Sequence, residues 1–425
     1  HNPSSINFRL RMAAMSRYCW LAAFVPATAR SRHCGLRGPE ICETAWSARH
    51  RERIWEFLEP VARSGPITYE RVKEISQHFT KINGWPMYFA EVAILDGHLY
   101  LRHSIRLGGW LSATLKLLKA ALESLGPEHF PDVFFVLSVH DEALLEKSRS
   151  KPLPLLSGLT TVAHWDIPVP GQTWFESSGG ISSQTVLQDF ALWESVDFQS
   201  SLEATYPWSE RSQRGFFRGH DWGSGNAFTE FLASRPPESC IRSSDVSRSF
   251  GYRRWYAALA EGELAEWLDV GLTGAPDFVK KEHPKQRYVP PVSLPEHAKH
   301  KYLLHLDGTA ASNRFLKLLL MGSVVLKQDS VYEEYFYKDL QPYVHFVPFA
   351  RDRCSTANLT ATLQWLRTHD ADARAIARAG QRVAREELGR RGAMCYWQKM
   401  LASYAALQAF DPRLMLNISE WWEWT

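Results

Sequence analysis

Beyond residue 30 the chain has no run of ~18 uninterrupted apolar residues, so no membrane-spanning helix is read from it. Cysteine is scarce: the six stand at positions 19, 34, 42, 240, 354 and 395 of 425 residues, with no C-x-x-C pair. That excludes a disulfide scaffold and the commonest zinc and redox motifs. Charge of one sign is also lacking, because 49 Lys and Arg face 46 Asp and Glu for a net +3. A dedicated nucleic-acid binder is not indicated. No D-x-D run is suited to holding a divalent ion against a nucleotide diphosphate and the histidines lack ligand spacing, so no metal or other cofactor is expected. Repeats and low-complexity tracts are absent, and with 45% hydrophobic residues the composition rules out disorder, collagen and coiled coil. Aromatic residues are abundant, at 13% with 17 Trp, which fits large cores and sugar-stacking clefts equally well. At ~150 residues per domain the length allows two or three domains.

The chain opens on His1, with Met12 and Met15 as candidate starts. Arg17, the apolar Tyr18 to Val25 and Ala27-Thr28-Ala29 follow in the order of a secretory signal peptide, so residues 1–42 read as a leader. The same residues also fit a structureless apolar leader. Asn358-Leu359-Thr360 and Asn417-Ile418-Ser419 are N-glycosylation triplets that agree with a secretory route and add little to it, since such triplets arise by chance.

Periodicity gives the organisation. Ile54, Trp55, Leu58 and Val61 share one face of a helix over 50–62, and Thr68 looks like another helix start. Asp96-Gly97 between apolar runs signals a hairpin. Trp110 to Leu125 is helical and Gly126-Pro127 stops it. Val133 to Leu137 reads as a strand buried on both faces, as in a parallel sheet, with Asp141 just beyond its carboxyl end. A Pro-, Gly- and Ser-rich stretch over 150–183 precedes a second series, with a boundary near 205. There, a strand at 301–306, a small-residue loop at 307–312, a helix over 313–321 ended by Gly322 and a strand at 323–327 make a βαβ unit. Helices follow at 359–388 and 394–409. The domains are therefore 43–205, 206–392 and a C-terminal helix and tail at 393–425, two α/β domains with a cleft between them.

Candidate chemistry clusters at three places. Asp307-Gly308-Thr309-Ala310-Ala311-Ser312 opens into a helix with Ser312 as N-cap, and Arg314 lies in the first turn. Free N–H groups there attract phosphate, and a cation at the helix's positive end points to an anionic ligand. A capped surface helix whose Arg314 pairs with a carboxylate explains the same residues. Arg218-Gly219-His220 ends an apolar strand and leads into a Gly-rich turn, and two such sites on adjacent strands would suit a diphosphate. Asp141 is placed to act as a general base, although turn aspartates are more often caps.

Several ordered stretches resemble glycosyltransferase family 90, the Rumi-like protein O-glucosyltransferases and fungal capsule-associated xylosyltransferases. They are Lys301 to Phe315, Tyr332-Glu333-Glu334-Tyr335-Phe336-Tyr337 with Leu340 to Pro348, Tyr206-Pro207-Trp208 ahead of Phe217-Arg218-Gly219, and Cys395-Tyr396-Trp397. The resemblance covers roughly residues 90 to 410. It implies a GT-B fold, two facing Rossmann-like domains, and metal-independent inverting transfer of glucose or xylose from a UDP-sugar to a protein or glycan hydroxyl in the endoplasmic reticulum or Golgi lumen. By position, Asp141 in Ser138-Val139-His140-Asp141 is then the base. Arg218, Gly219, His220, Thr309, Ala310, Ala311, Ser312, Asn313 and Arg314 hold the UDP-sugar, and Glu334 reaches the ribose or uracil. Cys395 is expected to bridge to Cys34 or Cys42. The segment Ser177 to Ser183, after Phe175-Glu176, departs from the animal acceptor segment, which argues against epidermal-growth-factor-like acceptors. A catalytically silent member that binds glycans or client proteins keeps the same motifs.

Overall fold

Residues 42–43, 45–81, 89–102, 109–171, 173, 186–221, 252–349 and 356–424 are described by a computed structural model. Residues 1–41 of the leader, Cys34 among them, the segment 177–183 and the run 222–226 lie outside the described residues.

Two helices come first, α1 (Ala45–Arg63) and α2 (Tyr69–Lys81). The Thr68 hydroxyl accepts the Arg71 N–H at 3.3 Å, so this threonine does start α2. Strands β1 (Phe89–Leu95) and β2 (His98–Arg102) follow as the hairpin that Asp96-Gly97 predicts. Asp96 and Gly97 have φ of 53° and 78°, the left-handed pair that a two-residue turn requires. Helix α3 (Gly109–Leu125) ends at Gly126, whose φ is 93°. Strand β3 (Val133–Ser138) is buried throughout, then come the short strands β4 (Leu155–Ser157), β5 (Thr160–Thr161) and β6 (Ile167–Pro168).

After α4 (Val186–Trp193) and α5 (Val196–Thr205) the second series runs β7 (Ser212–His220), α6 (Tyr252–Glu261), β8 (Leu268–Gly274), α7 (Asp277–Glu282), β9 (His300–His305), α8 (Phe315–Leu320), β10 (Val324–Gln328), β11 (Tyr332–Glu333) and β12 (Val347–Phe349). The chain closes with α9 (Thr356–Thr368), α10 (Asp370–Val383), α11 (Arg390–Leu407), α12 (Pro412–Met415) and β13 (Trp422–Glu423).

These strands make a mixed α/β architecture. One sheet has the order β13-β2-β1-β3-β4-β6, the other β12-β10-β9-β7-β8. The second is parallel throughout. In the first, β3, β4 and β6 run parallel, but β1 is antiparallel to both β2 and β3. The apolar run of β3 therefore records burial on both faces without fixing the direction of both neighbours. A small ladder, Tyr332 opposite Thr161 and Glu333 opposite Thr160, ties the two halves together.

The predicted helix over 359–388 is instead α9 and α10, broken at His369 and continued by a π turn over Ala384–Leu388. Tertiary contacts explain the break. The His369 ring stacks back on Trp365, and Asp370, the next residue, accepts from Lys301 Nζ at 2.6 Å and from Trp208 Nε1 at 3.0 Å.

Helix α11 returns to the first sheet. Trp397 and Tyr404 pack on Phe135 of β3, and the Tyr396 and Tyr404 hydroxyls donate to the carbonyls of Pro168 and Pro154. All three are completely buried, and each contributes about 1.5–3 kcal/mol by leaving water. Cys42 and Cys395 join as a disulfide that fixes the start of α1 to α11 across 353 residues of sequence. Replacing both cysteines by alanine is expected to lower stability by about 2–4 kcal/mol. A denaturant midpoint that stays where it was in the double variant would deny the bridge a stabilising role.

Candidate functional site

In the parallel sheet β7 lies between β8 and β9, so the chain moves to one side of β7 after it and to the other side later. Such a reversal leaves a crevice at the carboxyl ends of the two central strands, the usual place for a ligand in an open α/β sheet. β7 ends at His220 and β9 at His305, and the loop 307–312 leads out of β9 across this crevice.

That loop is held mainly by its backbone. Asp307 is buried, and its Oδ1 accepts the Ser312 N–H at 3.3 Å. Burial drives the His305 pKa down to about 3, so the imidazole is neutral and its Nε2–H donates to the Ser312 carbonyl at 3.1 Å. The Tyr332 hydroxyl donates to the Thr309 carbonyl at 3.0 Å. Ala310, Ala311 and Ser312 are buried, whereas Thr309 and Asn313 stay partly exposed. The helix starts later than the sequence suggests, at Phe315, with Arg314 as its cap residue and no side-chain cap. Ser312 is therefore not the N-cap. All six residues of α8 are buried, so it is not a surface helix either.

Arg314 reaches back over β7. Its Nη1 donates to the Arg218 carbonyl, and the guanidinium carbon lies 5.6 Å from the centre of the Phe217 ring. Gly219 makes this possible: a Cβ there would stand 2.8 Å from Nη1 and 3.0 Å from Nη2. A second arginine, which sequence reasoning missed, joins it. Arg253, in the first turn of α6, lies 5.4 Å from the same ring and donates to the carbonyls of His220 at 2.9 Å and Leu306 at 3.0 Å. Among the described residues neither arginine has a carboxylate within ion-pair distance. Burial, reinforced by the charge of Arg314 and opposed by the more distant Asp307 and Asp221, pushes Arg253 down to about 9, and burial alone pushes Arg314 down to about 10. His220, at the strand end, is lowered by burial and by the same two arginines. Two desolvated like charges over one ring are unfavourable until an anion arrives. The local signal for Arg253 is faint, a basic pair in a helix's first turn.

Arg218 behaves differently. Its side chain leaves the opposite face of β7, lies 4.6 Å from the Phe216 ring and pairs with Asp269 of β8 at 2.6 Å. The Arg-Gly pair thus contributes its carbonyl and its missing Cβ to the crevice, and Arg253 stands beside Arg314 as a second cation on that face. Glu334, the residue expected at the ribose or uracil, has protein partners on both oxygens. It is fully buried, and its two oxygens accept from the Thr173 hydroxyl at 2.8 Å and the Tyr337 hydroxyl at 3.0 Å.

Asp141 lies three residues beyond the end of β3, in a turn closed by His140, whose Nδ1 accepts the Glu142 N–H at 3.0 Å. Burial raises the Asp141 pKa from its ordinary value, with His140 opposing. The following segment is pinned by Asp166, another residue the sequence did not single out. Fully buried and raised to about 6, it accepts the Leu144 N–H at 3.0 Å and the Leu145 N–H at 2.8 Å. Ala143, two residues after Asp141, belongs to the same apolar cluster as Leu306, Ala310 and Ala311. The loop bearing Asp141 and the loop preceding Arg314 are in this way packed around one core.

The family model described as glycosyl transferase family 90 matches residues 88–421. Protein O-glucosyltransferase 2 of Danio rerio is 32% identical over 67% of this chain and 49% of its own length. Human protein O-glucosyltransferase 3 is 26% identical over 81% of this chain and 60% of its own. The O-glucosyltransferase rumi homolog of Aedes aegypti is 24% identical over 89% and 83%. The chain thus spans about half to three fifths of the first of these relatives. Among solved structures, Anabaena HepE in complex with UDP-glucose has a TM-score of 0.27 and 12% identity over 50% of this chain and 53% of that one.

Glu334 gives a pH test of the site's frame. Its pKa is raised from 4.5 to about 7 in the folded chain, chiefly by burial. The protonated form favours folding, so its contribution is complete below about pH 4.5 and is lost as the pH rises through about 7. Denaturant midpoints measured from pH 5 to 8 should fall more in wild type than in Glu334→Gln; parallel profiles would contradict this.

Proposed function

This chain belongs to glycosyl transferase family 90, and from that premise we propose that it transfers glucose or xylose from a UDP-sugar to a hydroxyl of a protein or glycan, without a metal. The observation that carries the reading is the pair Arg314 and Arg253, held over Phe217 at the crevice with no carboxylate within ion-pair distance of either among the described residues. A diphosphate supplies that charge. The names of the relatives favour glucose and a protein acceptor.

In this reading the pyrophosphate sits against the two guanidinium groups, His220 and the loop from Thr309 to Asn313. Small side chains at Ala310 and Ala311 let it approach the backbone. Asp141 takes the proton of the acceptor hydroxyl as that oxygen attacks the anomeric carbon. The bond from this carbon to UDP breaks, the leaving diphosphate keeps the electron pair, and the arginines stabilise its charge. In-line attack inverts the configuration. Burial suits Asp141 to the role, since a carboxylate with a raised pKa holds its proton more firmly once transferred. Arg218, tied to Asp269, positions β7 rather than touching the ligand. A secretory lumen is the proposed compartment. The Cys42–Cys395 bridge supports it, because disulfides persist where conditions are oxidising.

Two measurements separate the halves of this mechanism. Asp141→Asn is expected to cut UDP release in the presence of acceptor by about 10²–10⁴-fold and to leave UDP affinity within about two-fold. Turnover at the wild-type rate would remove Asp141 as base. Arg314→Ala should weaken UDP binding by about 10–100-fold, the effect of losing a charge-assisted contact. Gly219→Ala should weaken it comparably, because the new Cβ displaces the Arg314 guanidinium. Titration calorimetry with UDP reads both, and unchanged affinity in either variant would take the diphosphate away from this crevice.

A further inference from the structure

The two N-glycosylation triplets occupy unlike surroundings. Asn358 lies in the first turn of α9, half-buried, with its Oδ1 enclosed and Leu359 beside it in the core. Asn417 is exposed and precedes a single 3-10 turn, Ile418–Glu420. Its partner hydroxyl is presented with it, since Ser419 Oγ donates to Asn417 Oδ1 at 2.8 Å. The other contact of the amide, Nδ2 to Glu420 at 3.1 Å, is a surface hydrogen bond that is readily exchanged for water.

A second observation concerns what surrounds Asn417. Leu414 is 84% exposed, Met415 42% and Trp422 59%, all within five residues of it. Among the described residues Trp422 belongs to β13, a two-residue strand at the end of the first sheet. Exposed apolar side chains this closely spaced along the chain favour association with another chain.

We propose that Asn417, and not Asn358, carries an N-linked glycan that shields these exposed apolar side chains. The proposal takes the secretory route proposed above as its setting. In the reaction Asn417 Nδ2 bonds to the anomeric carbon of a lipid-pyrophosphate-linked oligosaccharide. The bond from that carbon to the pyrophosphate breaks, the lipid pyrophosphate leaves with the electron pair, and the amide gives up one of its two protons. The co-reactant and the transferase belong to the lumen of the producing cell. At Asn358 a glycan would have to replace the packing that holds the first turn of α9.

Secretion of the full chain from eukaryotic cells behind a supplied cleavable leader, then peptide-N-glycosidase digestion in H₂¹⁸O and peptide mass spectrometry, reads both sites. Labelled aspartate is expected at 417 and unmodified asparagine at 358. An unlabelled 417 overturns the proposal, as does label at 358. Ser419→Ala should abolish the label while Asn417 itself remains, and Asn358→Gln should leave it intact. In size-exclusion chromatography the secreted Asn417→Gln chain should elute partly as larger species, and elution as a single species matching wild type would refute the covering role. Because the leader is supplied, failure of the proposed natural route does not alter these outcomes.

Discussion

Two guanidinium groups share the face of one phenyl ring at the carboxyl end of the parallel sheet, and much of the site's local architecture serves to hold them there. Neither has a carboxylate within ion-pair distance among the described residues, and each spends hydrogen bonds on backbone carbonyls of β7 or of the residue that follows β9. Cation–π contact with Phe217 offsets part of the cost of their burial. The arrangement demands a glycine at 219, because any side chain there would occupy the space of the Arg314 guanidinium. It also demands that β9 lie directly against β7, since Arg314 spans from one to the other.

The parallel order of the second sheet meets that demand, and the pairing of Arg218 with Asp269 shows how charge is partitioned across β7. Alternation sends Arg218 to the face where β8 provides a carboxylate, and leaves Phe217 on the face where the two arginines gather. One strand thus separates a satisfied ion pair from an unsatisfied cationic pair within successive residues. The loop 307–312 is held by hydrogen bonds to its backbone, with Ala310 and Ala311 packed in the core, and neutral His305 stiffens it without adding charge.

Much of this was legible in the residues. The Asp96-Gly97 turn, the apolar run of β3, the loop after β9 and the position of Arg314 follow from patterns a few residues long. Arg253 was not legible, because its role arises only when α6 folds against strands 33 and 53 residues away from it. The pairing of Arg218 was not legible either, as its partner Asp269 comes from a neighbouring strand that no local pattern identifies. Ser312 has the chemistry of an N-cap, yet its backbone is claimed on both sides by His305 and Asp307, so the helix starts two residues beyond Asn313. The break at His369 likewise follows from long-range partners of Asp370 rather than from helix propensity.

Burial acts in opposite senses on the two halves of the site, and that opposition is what the proposed reaction requires. The desolvation that raises the pKa of Asp141 makes it a stronger base, and the desolvation that lowers Arg314 and Arg253 marks charges short of a counterion. A diphosphate bound against the arginines would restore their preference for the charged form, and the negative charge that develops on the leaving group would deepen that stabilisation as the bond to sugar breaks. In the proposed reaction, proton transfer to Asp141 at the same stage removes an anion whose burial was unfavourable. Charge is thereby relieved on both sides of the reacting carbon as the transition state forms, which is the condition for the site to stabilise that state more than the bound substrates.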